Sequence, residues 1–316
     1  MLKSKPAFFK FIMLSAMYEN GGNTTHRLLD GHPELFVYPF ESQPGTKYVV
    51  DHLSSLYPLK YRWPVFPSSA SPEEMYELII DEECKVRLKT PSVSKFRTAK
   101  MDLTDGARKK DFLAYLKGKP LTRANVMEAF FRATFSAWKN HRTTGKEKAY
   151  VGYSPIIGVD GEKIVSDYKG AGFVLHVVRN PFSAYADTKK RAVPLSIANY
   201  MFGWNTCQYF AKLHEAKYPK HFFIVRFEDI VQDPKKVLGG ILHKMGIGPS
   251  EAHAYPSWNK EKLEEVYPWG TVRIPTSVAN LKTAQELSKS EISEIYERTK
   301  LYIDVFGYSN LYKKIS

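Results

Sequence analysis

The sequence predicts an α/β fold: a P-loop-like central parallel β-sheet of about five strands with helices on both faces. Three observations carry the prediction. Short apolar runs rich in β-branched and aromatic residues recur along the chain, several without polar alternation, as in strands covered on both faces. Helical patterns separate them. The first run leads into SAMYENGGNTTHRLLDGHP, a glycine turn and hydroxyl-rich helix start, which is how a phosphate-binding loop is built.

Each element follows in order. The run Phe8–Leu14 reads as the first buried strand. In the turn after it, Asn20-Gly21-Gly22-Asn23-Thr24-Thr25, backbone N–H groups can converge on an anion at the positive end of the next helix. Leu28 and Leu29 anchor that helix to the sheet and Gly31 ends it. A second short extended run closes on Tyr38-Pro39-Phe40-Glu41. The Pro- and Ser-rich stretch Pro58–Pro72 reads as a surface loop, either a lid or a plain connection. Further strands are expected at Cys84–Leu88, Ala149–Tyr153, Gly172–Val178 and His221–Arg226. Helices are expected at Ala124–Lys139 and at Leu195–Tyr218, where Ile197, Met201, Trp204 and Gln208 recur at helical spacing. The last helix opens on a Ser288–Glu291 capping box and ends at Gly307. One domain over 1–316 is expected, with about 250–316 as a covering segment and final helix.

Lys and Arg exceed Asp and Glu by 13, which suggests an anionic ligand or merely a solubilising surface. Nucleic acid ranks lowest, because the cations are scattered and no nucleic-acid motif appears. Two cysteines and dispersed histidines give neither a disulfide framework nor a metal constellation. No stretch approaches eighteen apolar residues, so no membrane span is expected. A soluble, cytoplasmic protein follows as the expectation; the oligomeric state is left open.

The glycine turn lacks the lysine of a Walker A loop, and alone it fits an ordinary strand-to-helix turn equally well. A second feature stands on the run Val174–Val178, which ends in Arg179-Asn180-Pro181. Pro181 suits a helix start. Arg179 and Arg191, twelve residues apart, suit bidentate capture of a second phosphate.

Taken in order, these pieces resemble the sulfotransferases that use 3′-phosphoadenosine 5′-phosphosulfate (PAPS), closest to the bacterial and tyrosylprotein branch. The glycine turn runs into Leu29-Asp30-Gly31-His32-Pro33-Glu34, as in that family. Arg179-Asn180-Pro181 resembles its second motif. Arg226-Phe227-Glu228-Asp229-Ile230-Val231-Gln232-Asp233-Pro234 and Met245-Gly246-Ile247 resemble its later ones. The matches run from the first strand to about residue 247, with a weaker one near Trp269-Gly270 and Asn280-Leu281-Lys282. The resemblance implies a fold related to nucleotide kinases. Asn20, Gly21, Gly22, Asn23, Thr24 and Thr25 would hold the 5′-phosphosulfate. Arg179 and Arg191 would hold the 3′-phosphate, with Asp187 standing where the family has a serine. The reaction would move a sulfuryl group to an acceptor oxygen or nitrogen, leaving 3′-phosphoadenosine 5′-phosphate (PAP).

Such a transfer needs a base, charge stabilisation and in-line placement. Glu41 is the expected base; the alternative is a structural carboxylate. Two expected cations are missing. Glu19 stands at an Arg/Lys position beside the sulfate, and Tyr153-Ser154-Pro155 stands for Lys-Asp-Pro. Either His26 or Arg27 supplies the lost charge, making His26 a second catalytic candidate, or Lys89, Lys95 or Arg97 reaches in. The third option is that Glu19 turns away and binds a cationic small-molecule acceptor. Trp63, Trp204, Trp258 and Trp269 are candidates for stacking or core packing. The competing readings are a small-molecule kinase or other P-loop nucleotide-binding enzyme, and a catalytically impaired PAP-binding module.

Overall fold

Parallel strands buried on both faces need apolar side chains on both, and the central runs supply them. The computed structural model describes residues 9–264 and 277–316. Strands β1 (Lys10–Ser15), β2 (Leu35–Val37), β3 (Ala149–Tyr153), β4 (Gly172–Val178) and β5 (Phe222–Arg226) form one sheet in the order β2-β3-β1-β4-β5. All neighbours are parallel, with Leu14 of β1 opposite Tyr153 and Leu175. Along β1, Phe11 and Met13 enter one apolar cluster while Ile12 and Leu14 enter another. This is the period-two alternation of a strand between two helical layers.

The helices, in chain order, are α1 (Gly22–Asp30), α2 (Pro72–Leu78), α3 (Glu82–Lys89), α4 (Asp105–Leu116), α5 (Arg123–Ala137), α6 (Gly161–Asp167), α7 (Pro181–Thr188), α8 (Ile197–Lys217), α9 (Phe227–Gln232), α10 (Pro234–Lys244), α11 (Ser277–Ala284), α12 (Lys289–Val305) and α13 (Ser309–Ile315). The capping box at Ser288 and Glu291 opens α12, and Gly307 follows it at φ 72°. That helix is not the last: α13 follows, and its neighbour Tyr308 returns a hydroxyl to Glu228 at 2.9 Å.

One sequence expectation is corrected and another narrowed. Cys84–Leu88 lies within helix α3, and the strand that pairs with β3 is Leu35–Val37. Five residues with alternate apolar positions fit a strand, but Cys84 and Leu88 are also one helical turn apart, and both pack toward the same core cluster. The stretch Pro58–Pro72 is anchored at Arg62 and Trp63, which favours the plain connection over the lid. Arg62, 1% exposed, donates to Asp160 at 2.7 and 3.0 Å and to Asp51 at 2.7 and 3.1 Å. Trp63 Nε1 donates to Asp167 at 2.7 Å. Opening this stretch would strand a buried guanidinium.

The Leu29–Glu34 segment fastens α1 to residues beyond α10. Asp30 accepts the Lys260 N–H at 2.8 Å, His32 meets the Gly248 carbonyl at 3.0 Å, and Glu34 accepts the Gly248 N–H at 2.8 Å. These motif residues hold helix α1 in place through contacts with Gly248 and Lys260.

Candidate active site

The glycine turn has its shape for steric and hydrogen-bonding reasons. Gly21 sits at φ 85°, and a Cβ there would come within 2.1 Å of the Phe227 ring. A Cβ on Gly22 would lie 2.3 Å from the Tyr153 hydroxyl. Helix α1 starts at Gly22 with no side-chain cap, and Thr25 N–H is the first to return to the helix, to Gly21 O at 3.0 Å. The N–H groups of Gly22, Asn23 and Thr24 therefore precede any intrahelical acceptor, and an uncapped helix end of this kind suits an anion.

The predicted loop residues divide by role. Asn20 is fully buried and spends its side chain on the fold. Its amide donates to Tyr18 O and Tyr200 Oη, and its oxygen accepts the N–H of Arg179 at 2.9 Å and of Trp204 at 3.2 Å. It welds the loop to the end of β4 and leaves no side-chain donor for an anion. Thr25 likewise commits its hydroxyl to Gly21 O at 2.9 Å. Asn23 is exposed. Thr24 has no side-chain hydrogen bond among the described residues.

Arg179, Asp187, Arg191 and Glu19 do come together. Arg179, 7% exposed, donates Nε to Asn280 at 2.7 Å and Nη1 to both Glu19 O and Asp187 at 2.8 Å. Arg191 lies beyond the end of α7, in the loop before α8, 3.8 Å from the Glu19 carboxylate and 5.1 Å from the Tyr18 ring centre. Glu19 adopts φ 59°, an unusual conformation for a non-glycine residue, with its carbonyl on Arg179 and its carboxylate toward Arg191. Burial raises its pKa against the opposing pull of Arg191.

His26 cannot bring the missing cation. It is 2% exposed, with Arg27 Nη2 at 2.7 Å from Nδ1, and burial and that guanidinium hold its pKa well below the ordinary value. It is a neutral packing partner of Tyr153. Arg27 itself donates to Tyr38 O and lies 3.6 Å from Asp30. Lys89 pairs with Asp105 and Glu77, while Arg97 is exposed. Lys95 is the cation that reaches the site, through Glu83.

Glu41 follows β2 beside Ser42, whose N–H joins the end of β3 at Tyr153 O, 2.8 Å. Its own N–H donates to Glu83 at 3.0 Å. Burial first, then the Glu83 carboxylate, push the Glu41 pKa up to about 7, against Lys95, the Gln43 hydrogen bond and Lys60. A carboxyl poised there exchanges protons at neutral pH. Tyr153 joins the two halves of the site: it touches Gly22, and its own pKa is raised by burial and then by Glu41, with Tyr61, Glu19 and Glu83 adding to the effect. Tyr18 and Tyr61 meet edge-on with centroids 6.0 Å apart.

Glu83 was missed by sequence reasoning, which placed a strand directly after it, at Cys84–Leu88. Its pairing with Glu41 spans 42 residues, so no local pattern encodes it. Glu228 proves to be a structural hub, accepting from Asn180, Asn280 and Tyr308. The tryptophans are equally structural: Trp63, Trp204 and Trp258 are all buried, and each indole N–H has a protein acceptor. The Trp269-Gly270 match lies outside the described residues.

Neither a family model nor a curated relative matches the chain. Solved structures do. A sulfotransferase domain from the curacin biosynthetic pathway aligns at TM-score 0.51 and 14% identity, over 94% of this chain and 99% of that one. The sulfotransferase domain of the Synechococcus PCC 7002 olefin synthase aligns at 0.44 and 17%, over 90% and 98%. A sulfotransferase from Alicyclobacillus acidocaldarius aligns at 0.40 and 12%, over 92% and 95%. The first likeness gives this chain the fold of a sulfotransferase domain, the fold that the motifs predict. Among the described residues no helix is long and apolar enough to cross a membrane.

Proposed function

We propose that this protein is a PAPS-dependent sulfotransferase that modifies a hydroxyl or an amine or guanidine nitrogen of a small molecule. One observation carries the reading. A carboxyl with a pKa near 7, Glu41, shares Tyr153 as a neighbour with an uncapped helix N-terminus. One feature suits a base and the other suits an anion.

In this reading the donor supplies a sulfuryl group whose transfer forms the acceptor–sulfur bond and breaks the sulfur–oxygen bond to the 5′-phosphate. Glu41 accepts the acceptor's proton. The N–H groups of Gly22, Asn23 and Thr24 stabilise the charge left on the phosphate. The Tyr153 hydroxyl, kept protonated, is the hydrogen-bond donor beside Gly22 where a lysine is absent.

The acceptor is best a cation. Glu41, Glu83 and Glu19 lie near Tyr18, Tyr61 and Tyr153, and carboxylates with aromatic faces favour ammonium and guanidinium groups. A cationic natural product fits that wall. Both cysteines are free and buried, which supports a reducing compartment such as the cytoplasm.

The test is PAP release and a mass increase of the acceptor on incubation with PAPS and a panel of amines, guanidines and alcohols. PAP release with a sulfated product supports the reading. Consumption of magnesium-ATP instead would make the protein a small-molecule kinase. PAP binding without turnover on any acceptor would make it a binding module.

A further inference from the structure

Arg179 is the buried cation at the end of β4, and its bonds are nearly all spent inside the protein. Nε is held by Asn280, and Nη1 is shared between Glu19 O and the Asp187 carboxylate. Among the described residues only Nη2 has no hydrogen-bond partner. Asp187 also lies 3.3 Å from Lys190, which pairs in turn with Glu286 at 2.7 Å. Arg191 faces Glu19. The three cations of this cluster thus meet three carboxylates, and the cluster is formally neutral.

A phosphate arriving at Arg179 meets a carboxylate already bonded to the guanidinium. Dianion and carboxylate repel each other, and the carboxylate already occupies Nη1, leaving Nη2 for the phosphate. Asp187 lies on α7, eight residues from Arg179, so the local fold itself places it against the guanidinium.

We infer that Asp187 is a specificity-determining residue that competes with the donor's 3′-phosphate for Arg179 and so sets how strongly that phosphate is recognised. The inference rests on the PAPS reading above. Asp187 weakens binding of 3′-phosphorylated nucleotides and leaves nucleotides with a free 3′-hydroxyl unaffected. Removing its charge loosens the hold of residue 187 on Nη1 of Arg179, which still donates to Glu19 O, and lifts the repulsion.

The experiment is calorimetric titration of wild type, Asp187→Ser and Asp187→Asn with PAP and, separately, with adenosine 5′-monophosphate. Circular dichroism reports the fold of each variant, and Asp187→Asn keeps the side-chain size. Both variants are expected to bind PAP at least about tenfold more tightly, with the monophosphate changed by less than about twofold. Equal shifts for both nucleotides, no shift, or weaker PAP binding by folded variants would overturn the inference. If wild type and variants bind no PAP at all while remaining folded, the donor reading fails and this inference with it.

Discussion

The two ends of the crevice are wired differently. At the Arg179 end the cations of the cluster face carboxylates: Arg179 with Asp187, Arg191 with Glu19, Lys190 with Asp187 and Glu286. At the Glu41 end, Glu83 pairs with Lys95, and Glu41 has no ion pair among the described residues. The paired end keeps its charges fixed, so an incoming anion must exchange partners there. The unpaired end stores a carboxyl at the edge of ionisation. In the proposed reading, one end binds the donor and the other moves a proton.

That contrast depends on the buried scaffold beneath Glu83, and breaking the scaffold should give the largest effect. Arg108 and Asp81, both buried, meet at 2.7 Å, and Asp81 is the residue that precedes α3. Arg108→Ala leaves Asp81 uncompensated and should cost about 3–5 kcal/mol in urea unfolding. A loss below about 1 kcal/mol would mean that the pair does not anchor α3. Next comes Gly22→Ala, whose methyl group meets Tyr153 at 2.3 Å. It should cost about 1–3 kcal/mol and reduce PAP affinity, because Tyr153 or the loop must shift. Normal PAP affinity in that variant would detach the glycine turn from the anion.

Smaller effects separate Glu83, beside Glu41, from Glu19, which lies between Arg191 and Tyr153. Glu83→Gln removes the carboxylate that raises the Glu41 pKa, so the rising, acid-side limb of the rate profile should move to lower pH. An unmoved limb would show that burial alone sets the value. Glu19→Gln should raise KM for a cationic acceptor by about two- to fivefold and leave a neutral acceptor unchanged, since the group is partly exposed. Unchanged KM for the cation would take Glu19 out of the acceptor site.

Much of the fold was legible because buried parallel strands write their burial locally. Ala149–Tyr153 and Gly172–Val178 stand in the structure with the bounds read from sequence. Helix α8 buries Met201, Trp204 and Gln208 as their spacing predicts. Short segments misled: α3 looked like a strand, because period two and one helical turn coincide at Cys84 and Leu88. At the site, sequence could place Arg179 and the glycine turn at strand ends. It could not show that Asn20 and Thr25 spend their side chains on the backbone, that His26 is buried against Arg27, or that Glu83 reaches Glu41. Those facts depend on contacts between distant segments, which residue spacing does not carry.

The central claim is that Glu41 accepts the proton in sulfuryl transfer, and kcat/KM against pH tests it most directly. The folded chain holds the Glu41 proton up to about 7, whereas an ordinary glutamate releases it near 4.5. Stability therefore falls as pH rises between those values, and Glu41→Gln should unfold at a higher temperature than wild type at pH 8. For wild type with PAPS and its acceptor, kcat/KM should rise with pH to a plateau with a midpoint about 7. Glu41→Gln should lose about 10²- to 10⁴-fold of the plateau rate along with the midpoint. A profile flat from pH 5.5 to 8.5, or a Glu41→Gln variant that is folded and fully active, would contradict the account.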